Sequence, residues 1–364
     1  MIKTTDITII GGGIIGLLTA RAFSLTGTSV TVLDKNRVGQ ESSWAGGGIL
    51  LPIYPWRQDP AITALVRQSL TLYPGLTSEL KSATEIDPEW SPCGLLITQT
   101  PDINEARAWC KNQDITYQDR ELPDISCLQT QTNNPLWLPD IAHIRNPRLL
   151  KSLRQDLISR GVQLLEHCVL HTITANNNQI SSINTSLGQQ AVNQLIFATG
   201  AWTGHLFQQF FPTSTKPEIK PVKGQMLLFD AKPETLPYMV LENDHYLIPR
   251  LDGKILAGST VEDSDFDKET TEPVYQRLKS FAEHLCPALK ACTEIKHWAG
   301  LRPGTQHGIP YIDRHPEFEN LSVNAGHFRN GLVMAPASAQ LMVDLILNRP
   351  TAIPPEPYKM TARH

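Results

Sequence analysis

The sequence predicts an α/β fold, and three stretches predict it. The first is the opening "DITIIGGGIIGLLTARAFSLTGTSVTVLDK", an apolar run, a glycine turn, a helical stretch and a second apolar run. The second is "NQLIFATGAWTG" at 193, a buried run that ends in Ala198-Thr199-Gly200. The third spans 222 to 230 and 245 to 261, where short runs joined by turns read as antiparallel strands, with a hairpin signal at Leu251-Asp252-Gly253-Lys254. A parallel-sheet domain interleaved with an antiparallel-sheet domain satisfies all three.

The opening stretch carries the most chemistry. Ile7 to Ile10 suits a strand buried on both faces. Gly11, Gly13 and Gly16 follow in G-x-G-x-x-G spacing, Leu17 to Leu25 has helical periodicity, and Gly27 ends it. Ser29 to Leu33 is the next strand, closed by Asp34. Gly11 permits the tight turn, Gly13 lets backbone approach a pyrophosphate, and Gly16 lets helix and strand pack closely. The helix N-terminus offers free N–H groups and positive dipole to phosphates. Asp34 can accept from both ribose hydroxyls, and an acid there disfavours a 2′-phosphate. Strand, helix, second strand and terminal acid in order imply a bound dinucleotide.

NAD and FAD both fit that fingerprint, and two later stretches favour FAD. In "ESSWAGGGILLP" at 41, Ser42 and Ser43 can bond phosphate or ribose, and Gly46 to Gly48 let backbone lie against something flat. The strand ending in Ala198-Thr199-Gly200 is a recurring mark of FAD-binding Rossmann proteins.

The bulk numbers exclude other classes. A chain of 364 residues suggests two domains or one elaborate one. The net charge is −4 with no basic block, so nothing invites nucleic acid. No apolar run has membrane-spanning length. Ile7 to Ala20 contains four glycines and no strong basic flank, so it reads as mature structure in a cytoplasmic protein. The six cysteines form no Cys-x-x-Cys pair, which argues against a metal cluster or disulfide framework. His167 and His171 read as structural residues on one face of a strand.

Eight landmarks in order resemble the D-amino-acid oxidase-type FAD proteins, and within them the glycine oxidases. They are "IIGGGIIGLLTA" at the start, "SSWAGGGIL", "RNPRLLKSL" at 145, "IFATGAW" at 196, "PVKGQMLLF" at 221, "HYLIPRLDGKILAGST" at 245, "HWAGLRPGT" at 297 and "NAGHFRNGLVMAPAS" at 324. "SPCGLLITQ" at 91 fits a further strand. The resemblance implies an FAD-binding Rossmann-like (GR2-type) domain from residues 1–85, 140–215 and 295–364. A substrate domain would use 86–139 and 216–294.

The resemblance also implies a site. Cofactor contacts would come from Gly11, Gly13, Ile14, Ile15, Gly16, Asp34, Lys35, Ser42, Ser43, Ala45, Gly46, Gly47, Gly48, Val169, Ala198, Thr199, Gly200, Trp202, Arg302, His327, Arg329, Asn330, Gly331 and Leu332. Substrate contacts would come from Arg302, Tyr246, Arg329, Val261 and Ile49. Arg302 sits in "AGLRPGTQHGIP", which has no helical or strand periodicity and reads as a loop. An arginine fork grips a carboxylate well, and the family arginine there does so. Tyr246 matches the tyrosine that bonds the same carboxylate. The N–H groups of Asn330, Gly331 and Leu332, opening a helix over Leu332 to Leu347, would face the flavin edge where reduction gathers negative charge.

Val261 stands where the family often has a larger side chain, which would widen the pocket. Asp244 and His245 depart from the family pattern and would alter its polarity. "LPIYPWR", Leu51 to Arg57, reads equally as a loop over the reacting face or as a rigid connector with an aromatic staple.

The activity implied is oxidation of glycine and small amines (sarcosine, D-proline, D-alanine) by hydride transfer to flavin N5. Oxygen would reoxidise the flavin to give hydrogen peroxide, and the imine would hydrolyse to glyoxylate and ammonia or feed the thiazole of thiamine. Non-covalent FAD is expected: the last cysteine is Cys292 and the first histidine is His143, so the usual attachment positions are empty. A dimer or tetramer of identical chains is expected. Two alternatives stay open: a D-amino-acid or proline dehydrogenase feeding a quinone or partner, and a non-catalytic FAD-binding subunit.

Overall fold

The computed structural model describes residues 4–362. The chain runs β1 (Ile7–Ile10), α1 (Ile14–Ser24), β2 (Val30–Leu33), α2 (Ser42–Ala45), α3 (Pro60–Thr84), β3 (Leu95–Ile97), α4 (Ile103–Asn112), β4 (Leu136–Leu138) and α5 (Asn146–Ser159). It continues β5 (Gln163–Leu165), β6 (Leu170–Asn176), β7 (Gln179–Thr185), β8 (Gly188–Ala191), β9 (Gln194–Phe197), α6 (Thr203–Phe210), β10 (Lys220–Asp230), β11 (Met239–Glu242), β12 (His245–Pro249) and β13 (Ile255–Gly258). Then come β14 (Glu262–Asp263), α7 (Glu272–Leu285), β15 (Thr293–Gly304), β16 (Tyr311–Arg314), β17 (Leu321–Ala325) and α8 (Gly331–Ile346).

One sheet has the order β16-β17-β9-β1-β2-β5. It is parallel except for β16, which pairs antiparallel with β17 at one edge. Every residue of β1 and β2 is buried, because layers cover both faces. Helices α1, α3, α5 and α8 pack together on one face. Phe207 and Phe211 with the β6-β7-β8 sheet cover the other. Asp59 caps α3 by accepting from the Ala61 N–H, and Pro60 opens the helix where a missing N–H costs nothing.

The second sheet has the order β14-β10-β13-β12-β11-β3-β4, with β15 also paired to β10. All its pairings are antiparallel except β11 with β3. The hairpin expected at 251–254 joins β12 to β13.

Three expectations need correction. Arg302 lies on a strand, not in a loop: β15 runs along β10 from Thr293 opposite Asp230 to Gly304 opposite Lys220. The expected domain boundary at 295 therefore falls inside a strand of the antiparallel sheet. His167 sits in the turn between β5 and β6 with φ +56°, so strand alternation does not relate it to His171.

Candidate active site

A cavity of about 590 Å³ is lined by residues from both large sheets and the loops between them. The glycine turn forms part of its wall. Gly11 has φ +106°, and a Cβ there would lie 2.4 Å from the Ala198 carbonyl oxygen. A Cβ on Gly16 would lie 1.9 Å from the Gly11 oxygen, so the helix rests directly on the turn. Gly13, Ile14 and Ile15 line the cavity from the start of α1, with Ser43 opposite. The Ser43 hydroxyl accepts from the Ile14 N–H at 2.9 Å and keeps its own proton for another partner.

Asp34, Lys35, Cys168, Val169, Thr199, Gly200 and Trp202 line one end. The Asp34 carboxylate accepts from the Gly12 and Asn36 N–H groups, both at 2.8 Å. Burial nevertheless raises its pKa above the ordinary aspartate value. It therefore has lone pairs to offer a hydroxyl donor at a desolvated place. The Lys35 ammonium stands 3.9 Å from the centre of the Trp202 ring.

Gly46, Gly47, Gly48, Ile49, Tyr246, Ser259, Arg302, His327, Phe328, Arg329, Asn330, Gly331 and Leu332 line the remainder. Arg302 donates through Nη1 to the Thr260 and Lys223 carbonyls at 3.0 and 3.4 Å. Through Nη2 it donates to Ser259 Oγ at 2.8 Å. Burial draws its pKa down, while the neighbouring Tyr246 phenol pushes it up. Tyr246 is buried; its hydroxyl lies 3.5 Å from the Met226 sulfur and also pairs with the Arg302 guanidinium. Arg329 is exposed at the opening of α8, and its charge also lowers that of Arg302. His327 is held neutral by burial, its pKa pushed down to about 3, and its Nε2 meets Ser338 Oγ at 3.0 Å.

Several expected residues lie elsewhere. Val261 is 48% exposed and does not line the cavity. It follows the inward Ser259-Thr260 pair and turns out to solvent. Asp244 and His245 stand off the cavity too, His245 against Phe281. Ala45 is one step behind the wall, where its carbonyl accepts from Trp298 Nε1. Gly16 acts behind the wall as well. The Ser42 hydroxyl is spent on the Leu301 carbonyl. In Leu51–Arg57, Leu51 and Ile53 supply apolar wall, while Trp56 and Arg57 both bond Asp102 and hold the segment rigid.

Ser259, Phe328 and Glu41, given no role by the sequence, all line the cavity, and His171, expected to be merely structural, lines it too. Ser259 and Phe328 lie inside motifs already quoted, but no spacing rule marks them.

The residues present fit FAD. Two helix N-termini, those of α1 and α8, open on the cavity with no side-chain cap and no acid in the first turn. Such ends suit a diphosphate and an electron-rich ring edge. Asp34 suits a ribose, and the glycines of both loops suit close approach of a flat group.

The comparisons agree with this geometry. The family model described as "FAD dependent oxidoreductase" (DAO) matches residues 6–345, and the chain belongs to that family, with FAD as its cofactor. More particularly, it is similar to glycine oxidases. It is 40% identical to the glycine oxidase of Pseudomonas putida over 98% of this chain and 99% of that one. It is 31% identical to the bifunctional protein ThiO/ThiG of a Synechocystis species, over 96% of this chain and 52% of the relative. The crystal structure of glycine oxidase from Geobacillus kaustophilus superposes with a TM-score of 0.92 at 26% identity, covering 99% of each chain. Among the described residues, no helix is long and apolar enough to cross a membrane.

Proposed function

We propose that this chain oxidises glycine, and with it small amines such as sarcosine, D-proline and D-alanine, with oxygen as final acceptor. The observation that carries the reading is the cluster of Arg302, Arg329 and Tyr246 at the end of the FAD cavity where α8 begins. Bound FAD supplies the two-electron acceptor. Arg302 spends Nη1 and one Nη2 hydrogen on the strands around it, and its remaining edge, beside Tyr246, holds the substrate carboxylate. Tyr246 gives up a weak sulfur contact to donate to the same carboxylate.

Catalysis on this reading is mostly positioning. The carboxylates lining the cavity among the described residues, Asp34 and Glu41, sit with the nucleotide-binding residues. Among the described residues, no other acid lines the cavity to draw a proton from Cα. Ile49, Leu51, Ile53 and Phe328 make an apolar wall, which favours the amine in its neutral form. Loss of a hydride (two electrons and a proton) from the neutral amine leaves an iminium ion, which water converts to glyoxylate and ammonium. The ThiO/ThiG relatives support a second fate for the imine, as a precursor of the thiamine thiazole.

Anaerobic addition of amines to the yellow protein tests this. Glycine should bleach it, and air should restore the colour with one peroxide per turnover. Bleaching without recolouring would indicate a dehydrogenase; no bleaching by any amine would overturn the reading. Arg302→Ala should raise the KM for glycine by orders of magnitude with FAD still bound.

A further inference from the structure

Arg250 immediately follows β12, the strand that carries Tyr246. Its side chain is buried, at 9% exposure. It donates through Nη2 to the Gly47 carbonyl at 2.7 Å and through Nη1 to the Ile144 carbonyl at 3.1 Å. Nη1 also stands 3.0 Å from His143 Nδ1. No carboxylate accepts from it. Glu89 and Asp252 are bonded to Arg145 instead. A buried cation without an acid partner is costly, and this one is retained on two main-chain carbonyls and an imidazole. Burial lowers its pKa to about 10, which leaves it charged at neutral pH. His143 is pushed down to about 3, so the ring is neutral and its Nδ1 accepts.

The carbonyl that Arg250 holds belongs to the glycine loop of the cavity. In a planar trans peptide, a C=O and the following N–H point in opposite directions. Fixing the Gly47 carbonyl towards Arg250 therefore fixes the Gly48 N–H the other way. The Gly46 N–H is spent on the Ser42 carbonyl at 3.2 Å, but among the described residues no acceptor meets the N–H of Gly47 or Gly48. Gly48 has φ +91°, and the Ile144 N–H holds its carbonyl at 2.9 Å, so the loop cannot turn over. A Cβ on Gly47 would lie 3.2 Å from the Tyr246 hydroxyl. One strand end thus touches the loop from two sides, with Tyr246 on its face and Arg250 on its carbonyl.

We propose that Arg250 is a positioning residue for the flavin ring: by gripping the Gly47 carbonyl it aims the Gly48 N–H into the cavity as a donor to the ring, in addition to the N–H groups that open α8. This rests on the proposal above that FAD bound in this cavity is the electron acceptor, with its flat ring against the Gly46–Gly48 loop. A cation on the carbonyl also polarises the peptide and strengthens the opposite N–H, as in any hydrogen-bonded chain in a low dielectric. That donor stabilises the reduced ring, which carries more negative charge, over the oxidised one.

The test is the reduction equilibrium of bound FAD in the holoenzyme, measured against a reference dye under chemical reduction with no amine present. Arg250→Gln should shift it about tenfold towards the oxidised form, about 30 mV for a two-electron couple, and alter the visible flavin spectrum. Arg250→Lys keeps the charge but cannot grip both carbonyls, and should shift it the same way by about threefold. A wild-type equilibrium in a folded Arg250→Gln protein overturns the proposal. If glutamine prevents folding, a wild-type equilibrium in Arg250→Lys overturns it equally. Because no amine enters the measurement, a shift seen in a protein that no amine bleaches would sink the amine-oxidase reading and leave this one standing.

Discussion

Arg302 donates through Nη2 to Ser259 Oγ at 2.8 Å, and that bond decides which edge of the guanidinium is left for a ligand. Nη1 is fully engaged on two carbonyls, so its end of the fork is closed. Removing the hydroxyl frees the fork to rotate. A hydrogen bond to a charged group contributes about 1.5–3 kcal/mol, and part of that loss should appear in carboxylate binding. Ser259→Ala should therefore raise the KM for glycine about tenfold, equivalent to roughly 1.4 kcal/mol, with FAD affinity unchanged. Ser259→Thr should stay near wild type. Unaltered KM in the alanine variant would show that Arg302 holds its orientation without Ser259.

The nucleotide end has its own fastening. Phe266, on the segment after β14, stacks on Trp202 with ring centres 5.6 Å apart and planes 22° apart. Two residues on, Lys268 pairs with Glu41 at 3.0 Å. Both Trp202 and Glu41 line the cavity, so this segment ties the antiparallel-sheet side to the cofactor wall. An aromatic pair is worth about 0.5–1.5 kcal/mol beyond burial. Phe266→Ala should weaken FAD binding about three- to tenfold, read from flavin fluorescence on dilution. Lys268→Ala should do less, because exposed ion pairs contribute little.

Gly16 tests the turn itself. A methyl there would sit 1.9 Å from the Gly11 carbonyl oxygen, backbone against backbone, with no flexible side chain to give way. Gly16→Ala should cost about 3 kcal/mol or more as overpacking and yield protein that purifies without yellow colour. A yellow, wild-type-like variant would mean that helix α1 can slide away from the turn at little cost.

What the sequence disclosed follows from how local each cause is. The β1-turn-α1-β2 unit was legible because its glycines, helix and acid interact within one short stretch. Arg302 was legible as chemistry but not as structure. Its strand exists only through pairing with β10, and the Lys223 carbonyl it bonds is 79 residues away in sequence. Pro303 and Gly304 hid that strand from any propensity argument. Ser259 was invisible for the same reason, since its hydroxyl matters only once β15 delivers Arg302 beside it. Val261 was misplaced because the resemblance carries a position, not the direction its side chain takes after β13 ends.

Acid should destabilise the protein, and the sign follows from two buried imidazoles. His143 and His327 are each 1% exposed. Burial is the first cause that pushes each from 6.5 to about 3, with the Arg250 charge adding to it at His143. An unfolded chain protonates both below pH 6.5 while the folded chain does not, so the unfolded state binds more protons between pH 6.5 and 3. Stability must then rise with pH across that window and fall as pH drops through it. At pH 5.5 each imidazole removes about 1.4 kcal/mol relative to neutral pH, roughly 3 kcal/mol for the pair. Urea unfolding at saturating FAD should show that loss between pH 7.5 and 5.5. His327→Gln should remove about 1.4 kcal/mol of that loss, whatever it does to the midpoint at pH 7.5. Equal slopes in wild type and variant would mean that His327 is protonated inside the fold, against the neutral ring that its burial implies.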